Sequence, residues 1–393
     1  MEILPIRNTD SQFKVGTFLA QKASARKKIL LLGGGHANIQ VLHQLSKLDS
    51  RFFELTLISE FSKTPYSAMI PSYMAGVFQP EQFHFDLKKI CARLNYNFVE
   101  DRVTQIVGNL NQVKTASGKV FEYDVCSANL GIAPKRIETD FQDDNSTLYV
   151  KPISKFTSRW ESLKNQFIKN KGNLDLSIVG GGAAAFEIAI ACRMLFPKRD
   201  ASIRIITGQK GLLAEYNYRA RDFAKQALLT HEIELLEGRR IFSITDKKLI
   251  FEDETFLSRD ICIMATHAEA PNLFAASGLP TNKQGFVRVN DSLLVDGFKN
   301  LFAAGDCCDF QSKSLPKAGV FAVREGPIVS QNIRNLLMDR KELIKYEPQN
   351  HFLTILVSGE KQAIASYGKW AYHGQLAWWL KYFIDLRFMR RFR

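Results

Sequence analysis

The chain has 393 residues, 46% of them hydrophobic, and a formal net charge of +13. That length suits two or three domains with full cores, and six scattered cysteines (Cys91, Cys126, Cys192, Cys262, Cys307, Cys308) argue against a secreted disulfide scaffold. No run approaches the roughly 18–20 apolar residues that span a bilayer, and the opening stretch, with Glu2 and Asp10, lacks a signal peptide's apolar core.

Residues 1–27 read as an extension. An apolar run, Ile29-Leu30-Leu31-Leu32, then enters Gly33-Gly34-Gly35-His36-Ala37-Asn38, and Ile39, Leu42 and Leu45 follow at helical spacing. Strand, glycine turn and helix in that order suit a dinucleotide. The glycines admit a pyrophosphate to the backbone, and the helix start offers free N–H groups and its positive dipole end. Residues 53–60 form a second strand ending at Ser59-Glu60, an acid placed to grip a ribose. Residues 63–71, with Pro65 and Pro71, read as a loop rather than a helix. Residues 97–107 and 112–125 read as an antiparallel excursion, and the strand from Val125 leads to Gly131-Ile132-Ala133-Pro134.

The pattern repeats further on. Leu176-Ser177-Ile178-Val179 runs into Gly180-Gly181-Gly182-Ala183-Ala184-Ala185, with Phe186, Ile188 and Ala189 beyond. Two such turns imply two dinucleotides, and the economical chemistry for two is hydride transfer between a nicotinamide and a flavin. The second strand of this unit, residues 201–206, ends at Thr207 with no acid. Without an acid to repel a 2′-phosphate the choice between NADH and NADPH stays open, and Lys210 would tolerate the phosphate. Residues 260–265 form an apolar strand leading to Thr266-His267. Residues 300–304 form another, ending in Gly305-Asp306, with Lys317-Ala318-Gly319 and a helical pattern over 320–337 beyond.

These three signals, in this order over residues 28 to about 345, resemble the flavoproteins with two dinucleotide-binding domains, the pyridine nucleotide–disulfide oxidoreductase superfamily. The resemblance implies an α/β fold of two Rossmann-like three-layer domains, the NAD domain inserted in the FAD domain, plus an amphipathic C-terminal tail. The expected divisions are 28–150 and 276–345 for FAD, 151–275 for NAD(P), and 346–393 for the tail. It implies non-covalent FAD at Gly33, Gly35, His36, Ala37, Glu60, Pro65, Val103, Gly131, Gly305, Asp306, Lys317 and Ala318. NAD(P)H would bind at Gly180, Gly182, Ala185 and Thr207. Glu187 matches a family glutamate near the nicotinamide, and a glutamate favoured by the helix dipole is the plainer alternative. Lys317 is the candidate for positive charge beside the reduced flavin. No metal site is assigned.

The Cys-x-x-x-x-Cys pair of the disulfide branch is missing from residues 63–75, which excludes a dithiol relay through that motif. The Thr64-Pro65…Pro71 loop instead resembles type II NADH dehydrogenases and sulfide:quinone oxidoreductases. Thr64-Pro65-Tyr66-Ser67-Ala68-Met69, the stretch from Pro316 to Pro327 and Arg387-Phe388-Met389-Arg390-Arg391-Phe392 also look like the flavoprotein module found fused to selenide, water dikinase. Two departures from the family pattern stand out. Asn38 replaces Gly or Ala, so the first helix should pack further from its strand or turn the amide outward, and Thr266-His267 replaces Thr-Gly. Cys126, Cys307 and Cys308 lie near enough to the expected flavin for redox chemistry to be considered.

The chain closes on YGKWAYHGQLAWWLKYFIDLRFMRRFR. On a helix, Trp378, Trp379, Tyr382, Phe383, Leu386 and Met389 share a face, with Lys381, Arg387, Arg390, Arg391 and Arg393 on the other sides. Aromatic plus basic is the composition of a helix lying in a membrane interface, and it suits anionic lipid better than nucleic acid. A helix packed on the body, or on a twin subunit in a homodimer, is the alternative. The resulting expectation is an FAD-dependent NAD(P)H dehydrogenase, peripheral on the cytoplasmic side of a membrane, with a quinone or another small molecule as acceptor. The other reading is a flavin-containing partner or sensor in sulfur or selenium metabolism.

Overall fold

The computed structural model describes residues 26–134, 146–169, 174–196, 201–266 and 268–392, so most of the extension, His267 and Arg393 lie outside the described residues. Strand Lys27–Leu32 is central in the first domain. It pairs in parallel with Phe53–Ser59 on one side and Val125–Ala128 on the other. Asn97–Glu100 and Leu301–Ala303 flank these to complete a five-stranded parallel sheet. A strand covered on both faces reads as an unbroken apolar run, which explains Ile29-Leu30-Leu31-Leu32. Asn97–Glu100 therefore joins the main sheet, and the antiparallel excursion is confined to Val103–Val107, Gln112–Thr115 and Val120–Glu122.

Helix Gly319–Leu337 returns late in the chain to pack on helix His36–Leu45. Gly326 permits the approach: a Cβ there would lie 2.6 Å from the Gln40 Cβ and 2.8 Å from the Ala37 carbonyl oxygen. The first domain is thus closed by residues beyond the second, which is inserted within it. The second sheet is also parallel, in the order Thr147–Tyr149, Ile261–Met264, Leu174–Val179, Ala201–Ile206, Glu234–Leu236. Its first strand precedes the expected boundary at residue 150. Full burial of side chains such as Leu31, Phe302 and Ile178 contributes roughly 1.5–3 kcal/mol each.

The two-proline segment is more ordered than its composition suggests. Lys63–Pro65 pairs with His84–Asp86, and Ile70–Met74 is a helix. Pro71 sits in its first turn, where the missing N–H has no partner to lose. After the first domain, Thr354–Gly359, Gln362–Tyr367 and Trp370–Gly374 form an antiparallel sheet, and the tail helix Gln375–Arg390 follows. Trp370 opens the last strand of this sheet. Among the described residues, no helix is long and apolar enough to cross a membrane.

Candidate active site

Three helices share one feature. His36–Leu45, Ala183–Leu195 and Gly319–Leu337 start after Gly35, Gly182 and Ala318, and none has a side-chain cap. Helix Tyr218–Thr230, by contrast, is capped by Asn217, which accepts from the Ala220 amide. The tail helix, which starts after Gly374, also lacks a side-chain cap. It is therefore the glycine turns and parallel strands before the first two, and the Gly-Asp strand before the third, that mark these starts as the ones expected to face dinucleotides. Free N–H groups and dipoles there favour an anion.

Gly33, with φ +85°, makes the left-handed turn that the strand end needs. At Gly35 a Cβ would fall 2.1 Å from the Asn129 Oδ1, so this glycine is fixed by a protein neighbour as well as by any ligand. Asn129 was not legible as a site residue. Its Oδ1 accepts the Ala37 amide at 3.0 Å and its Nδ2 donates to the Ala304 carbonyl at 2.6 Å, tying the first turn to the late Gly-Asp. Asn38 does not turn outward. It is fully buried, its Nδ2 donates to the carbonyls of Leu32 (3.0 Å) and Gly33 (2.9 Å), and its Oδ1 accepts from the Ser127 hydroxyl (2.9 Å). The substituted position staples the turn that it was expected to loosen.

His36 faces Tyr66, and its Nε2 is buried without a hydrogen-bond partner. Burial, aided by the charge of Lys151, holds its pKa down at about 4, so the ring is neutral. An orphaned buried nitrogen beside an uncapped helix, with open space at Gly131 where no atom lies within 4 Å of a would-be Cβ, fits a flavin dinucleotide. The two acids expected to hold its sugar hydroxyls each meet a lysine from one segment. Glu60 pairs with Lys155 at 3.5 Å and Asp306 with Lys151 at 3.3 Å. Pro65 is buried in its hairpin, and Val103 is partly buried against the core.

Lys317 is exposed. Its ammonium donates to the Cys308 carbonyl at 2.5 Å and lies 4.1 Å from the Phe286 ring centroid. In the second unit, Gly180 has φ +148° and is pressed on Ala265, while Gly182 has open space around it. Ala185 is buried. Thr207 is 1% exposed, with its hydroxyl on the Gly208 carbonyl, so its side chain does not reach toward a ribose.

A model of the pyridine nucleotide-disulphide oxidoreductase family matches residues 27–326. The chain belongs to that family. It is accordingly an oxidoreductase that uses FAD and NAD(P)H. Among curated proteins it resembles the type II NADH:quinone oxidoreductase of Staphylococcus saprophyticus, 22% identical over 340 residues that cover 80% of this chain and 84% of that protein. The Staphylococcus aureus protein of the same name is 22% identical over 339 residues, with the same coverage. Among solved structures, the fold matches NDH2 of Plasmodium falciparum in complex with NADH (TM-score 0.80, 16% identity, 93% of this chain and 97% of that one). It also matches the sulfide:quinone oxidoreductase of Aquifex aeolicus (TM-score 0.77, 18% identity, 93% and 91%).

In this oxidoreductase the tail helix turns two of its charges, Lys381 and Asp385, inward. Lys381 and Asp385 are 8% and 4% exposed and pair at 3.4 Å. Lys381 also donates to the Ala68 carbonyl at 3.0 Å, and Asp385 is hydrogen-bonded to the Tyr66 hydroxyl. Glu187 meets this cluster from the second domain, accepting the Val357 amide at 2.8 Å. Burial raises its carboxyl to about 6 against the opposing charge of Lys381. Burial opposes the Lys381 charge, yet Glu187 and Asp385 together raise its pKa. The expected assignment of Lys381 to anionic lipid is therefore wrong.

The aromatic face is also redrawn. Trp378 and Tyr382 stack together, Tyr382 stacks on Phe78, and Met389 is buried. The outward stripe is Leu376, Trp379, Leu380, Phe383 and Ile384, continued by Arg387 and Arg390. Cys126, Cys307 and Cys308 are buried, and burial raises all three thiols, Cys307 to about 11. Protonated, inaccessible thiols are poor nucleophiles.

Proposed function

We propose that this protein is an NAD(P)H:quinone oxidoreductase that works at a membrane surface. The observation that carries the reading is the tail helix: one face brings Lys381 and Asp385 into a buried cluster with Tyr66 and Glu187, and the opposite face is an exposed apolar stripe. A lipophilic acceptor needs both. It must leave lipid, and it must find protons where its oxygens are reduced.

The helix starts at His36, Ala183 and Gly319 bind and orient the two dinucleotides, FAD on the first and third and NAD(P)H on the second. Bound FAD supplies the two-electron chemistry between coenzyme and acceptor. Glu187, with its raised proton affinity, and Lys381, held charged, are the groups that would hold protons for acceptor oxygens. Tyr66, stacked on Phe388 at 4.7 Å, keeps water from the cluster. The helix beginning at Gly319 directs its positive end at the flavin side of the site, with Lys317 adding charge nearby. Asp306 and Glu60, each steadied by a lysine, hold sugar hydroxyls.

The thiol chemistry of a sulfur- or selenium-handling reading finds no accessible cysteine among the described residues. The test is anaerobic. Purified protein should be yellow and lose its colour within seconds of adding NADH or NADPH. A yellow protein that neither coenzyme bleaches would leave a flavoprotein without this activity.

A further inference from the structure

The Glu325 side chain has no assigned task. It lies on the buried face of the helix Gly319–Leu337, beside Ala322 and Val329 at helical spacing, and is 2% exposed. Its Oε2 accepts the Gly305 amide at 2.5 Å. Gly305 is left-handed, with φ +76°, and a Cβ there would meet the Asn129 Nδ2 at 2.5 Å. The turn that presents Asp306 is thus gripped from two sides, by Asn129 and by Glu325. Next to the carboxyl is a small cavity of about 20 Å³, lined by Asp306, Cys308, Lys317 and Phe321 among others, with room for about one water.

An amide side chain would close the same hydrogen bond without the cost of burying an acid. What the carboxyl adds is a titratable charge beside Asp306. We propose that Glu325 positions the Gly305-Asp306 turn for the flavin and couples flavin retention to its own protonation.

Burial pushes this carboxyl up to about 7, the Gly305 amide and Lys317 opposing and Asp306 reinforcing the shift. The other groups facing it are Cys307 and Cys308 on the turn, with raised thiols, and Tyr346 packed opposite. Lys151 partly neutralises Asp306. The pyrophosphate expected at the first glycine turn, which Asn129 ties to Ala304, would add negative charge to the site, so the carboxyl takes up a proton from solvent when the site fills. By linkage, retention is tighter at low pH than at high pH.

The inference rests on the assignment of Gly305 and Asp306 to the flavin. Its test uses the flavin-loaded protein and reads free FAD fluorescence after dilution, from pH 6 to 8.5. The wild type should release about threefold less flavin, or better, at the low end. Glu325→Gln should retain flavin as the wild type does at pH 6 and lose the pH dependence. Glu325→Ala should release about tenfold more throughout, because the buried Gly305 amide loses its acceptor whatever the protonation state of the carboxyl. An unchanged pH dependence in Glu325→Gln, or wild-type retention in Glu325→Ala, overturns the inference. Asp306→Asn separates the two claims. Release raised in that variant alone overturns the role of Glu325, whereas release unmoved in every variant overturns the site assignment as well.

Discussion

Lys381 and Asp385, one helical turn apart, form an ion pair at 3.4 Å that faces the protein interior while Leu376, Trp379, Leu380, Phe383 and Ile384 of the same helix face outward. A helix in water does the reverse. The arrangement makes sense if the outer face has an apolar neighbour and the inner face has a polar task. Removing one charge leaves the other buried and unpaired, which costs about 3–5 kcal/mol. Lys381→Met should therefore lower the urea midpoint clearly, and Lys381→Met with Asp385→Leu should recover much of the loss. Equal destabilisation by the single and double variants would show that the pair is not coupled.

The outward stripe should carry lipid binding. Trp379 and Phe383 are 53% and 60% exposed, so replacing both with Ser alters little in the folded chain. Losing two large apolar side chains from a lipid contact should weaken binding to anionic vesicles by about a hundredfold or more, at about 1.5 kcal/mol or above for each. Flotation measures this. Lys381→Met should float as the wild type does, whereas Arg387→Ala with Arg390→Ala should bind more weakly and with less salt dependence.

Stability should fall as pH rises through neutrality. Glu187 and Glu325 have folded pKa values of about 6 and about 7, both raised from 4.5 chiefly by burial. Each binds its proton more tightly folded than unfolded, so its contribution is complete below about pH 4.5 and is lost as pH rises through 6 and 7. The two together are worth roughly 2–4 kcal/mol. Denaturation of flavin-loaded protein at pH 5 and pH 8 should show the difference, and the Glu187→Gln, Glu325→Gln double variant should flatten it.

Coenzyme preference should respond at Gly208 rather than at Thr207. Thr207 is sealed, so an acid there would be a buried charge. Gly208 has no atom within 4 Å of a would-be Cβ and no left-handed backbone. Gly208→Asp should place a carboxylate at the open strand end and shift the ratio of kcat/KM for NADH over NADPH upward by tenfold or more, about 1.4 kcal/mol. An unchanged ratio would mean that the ribose lies elsewhere.

Much of the fold is legible in the sequence because buried parallel strands and glycine turns leave continuous, ordered signals. The runs before Gly33 and Gly180 and the run before Gly305 all became parallel strands. The short strand Asn97–Glu100 was misread because nothing in four residues tells a parallel edge strand from a hairpin arm. Asn129 leaves no trace in the sequence and Glu325 very little, because their roles are contacts over 92 and 20 residues of separation. The one available hint was a charged residue on the apolar face of a helical pattern, at Glu325. Lys381 carries the same hint yet reads as outward-facing, since aromatic residues at both i+3 and i+4 leave the apolar face of the tail ambiguous.

In the proposed function, electrons pass from NAD(P)H to a quinone held in lipid. The most direct measurement reduces the flavin anaerobically with stoichiometric NADH or NADPH and mixes the protein with anionic vesicles containing a long-chain quinone. Flavin colour should return within seconds, faster than with quinone-free vesicles, and the return should slow strongly in the Trp379→Ser, Phe383→Ser variant. The same variant should react normally with a short, water-soluble quinone. Reduced flavin that stays bleached with both quinones, in protein that floats with the vesicles, would contradict the account.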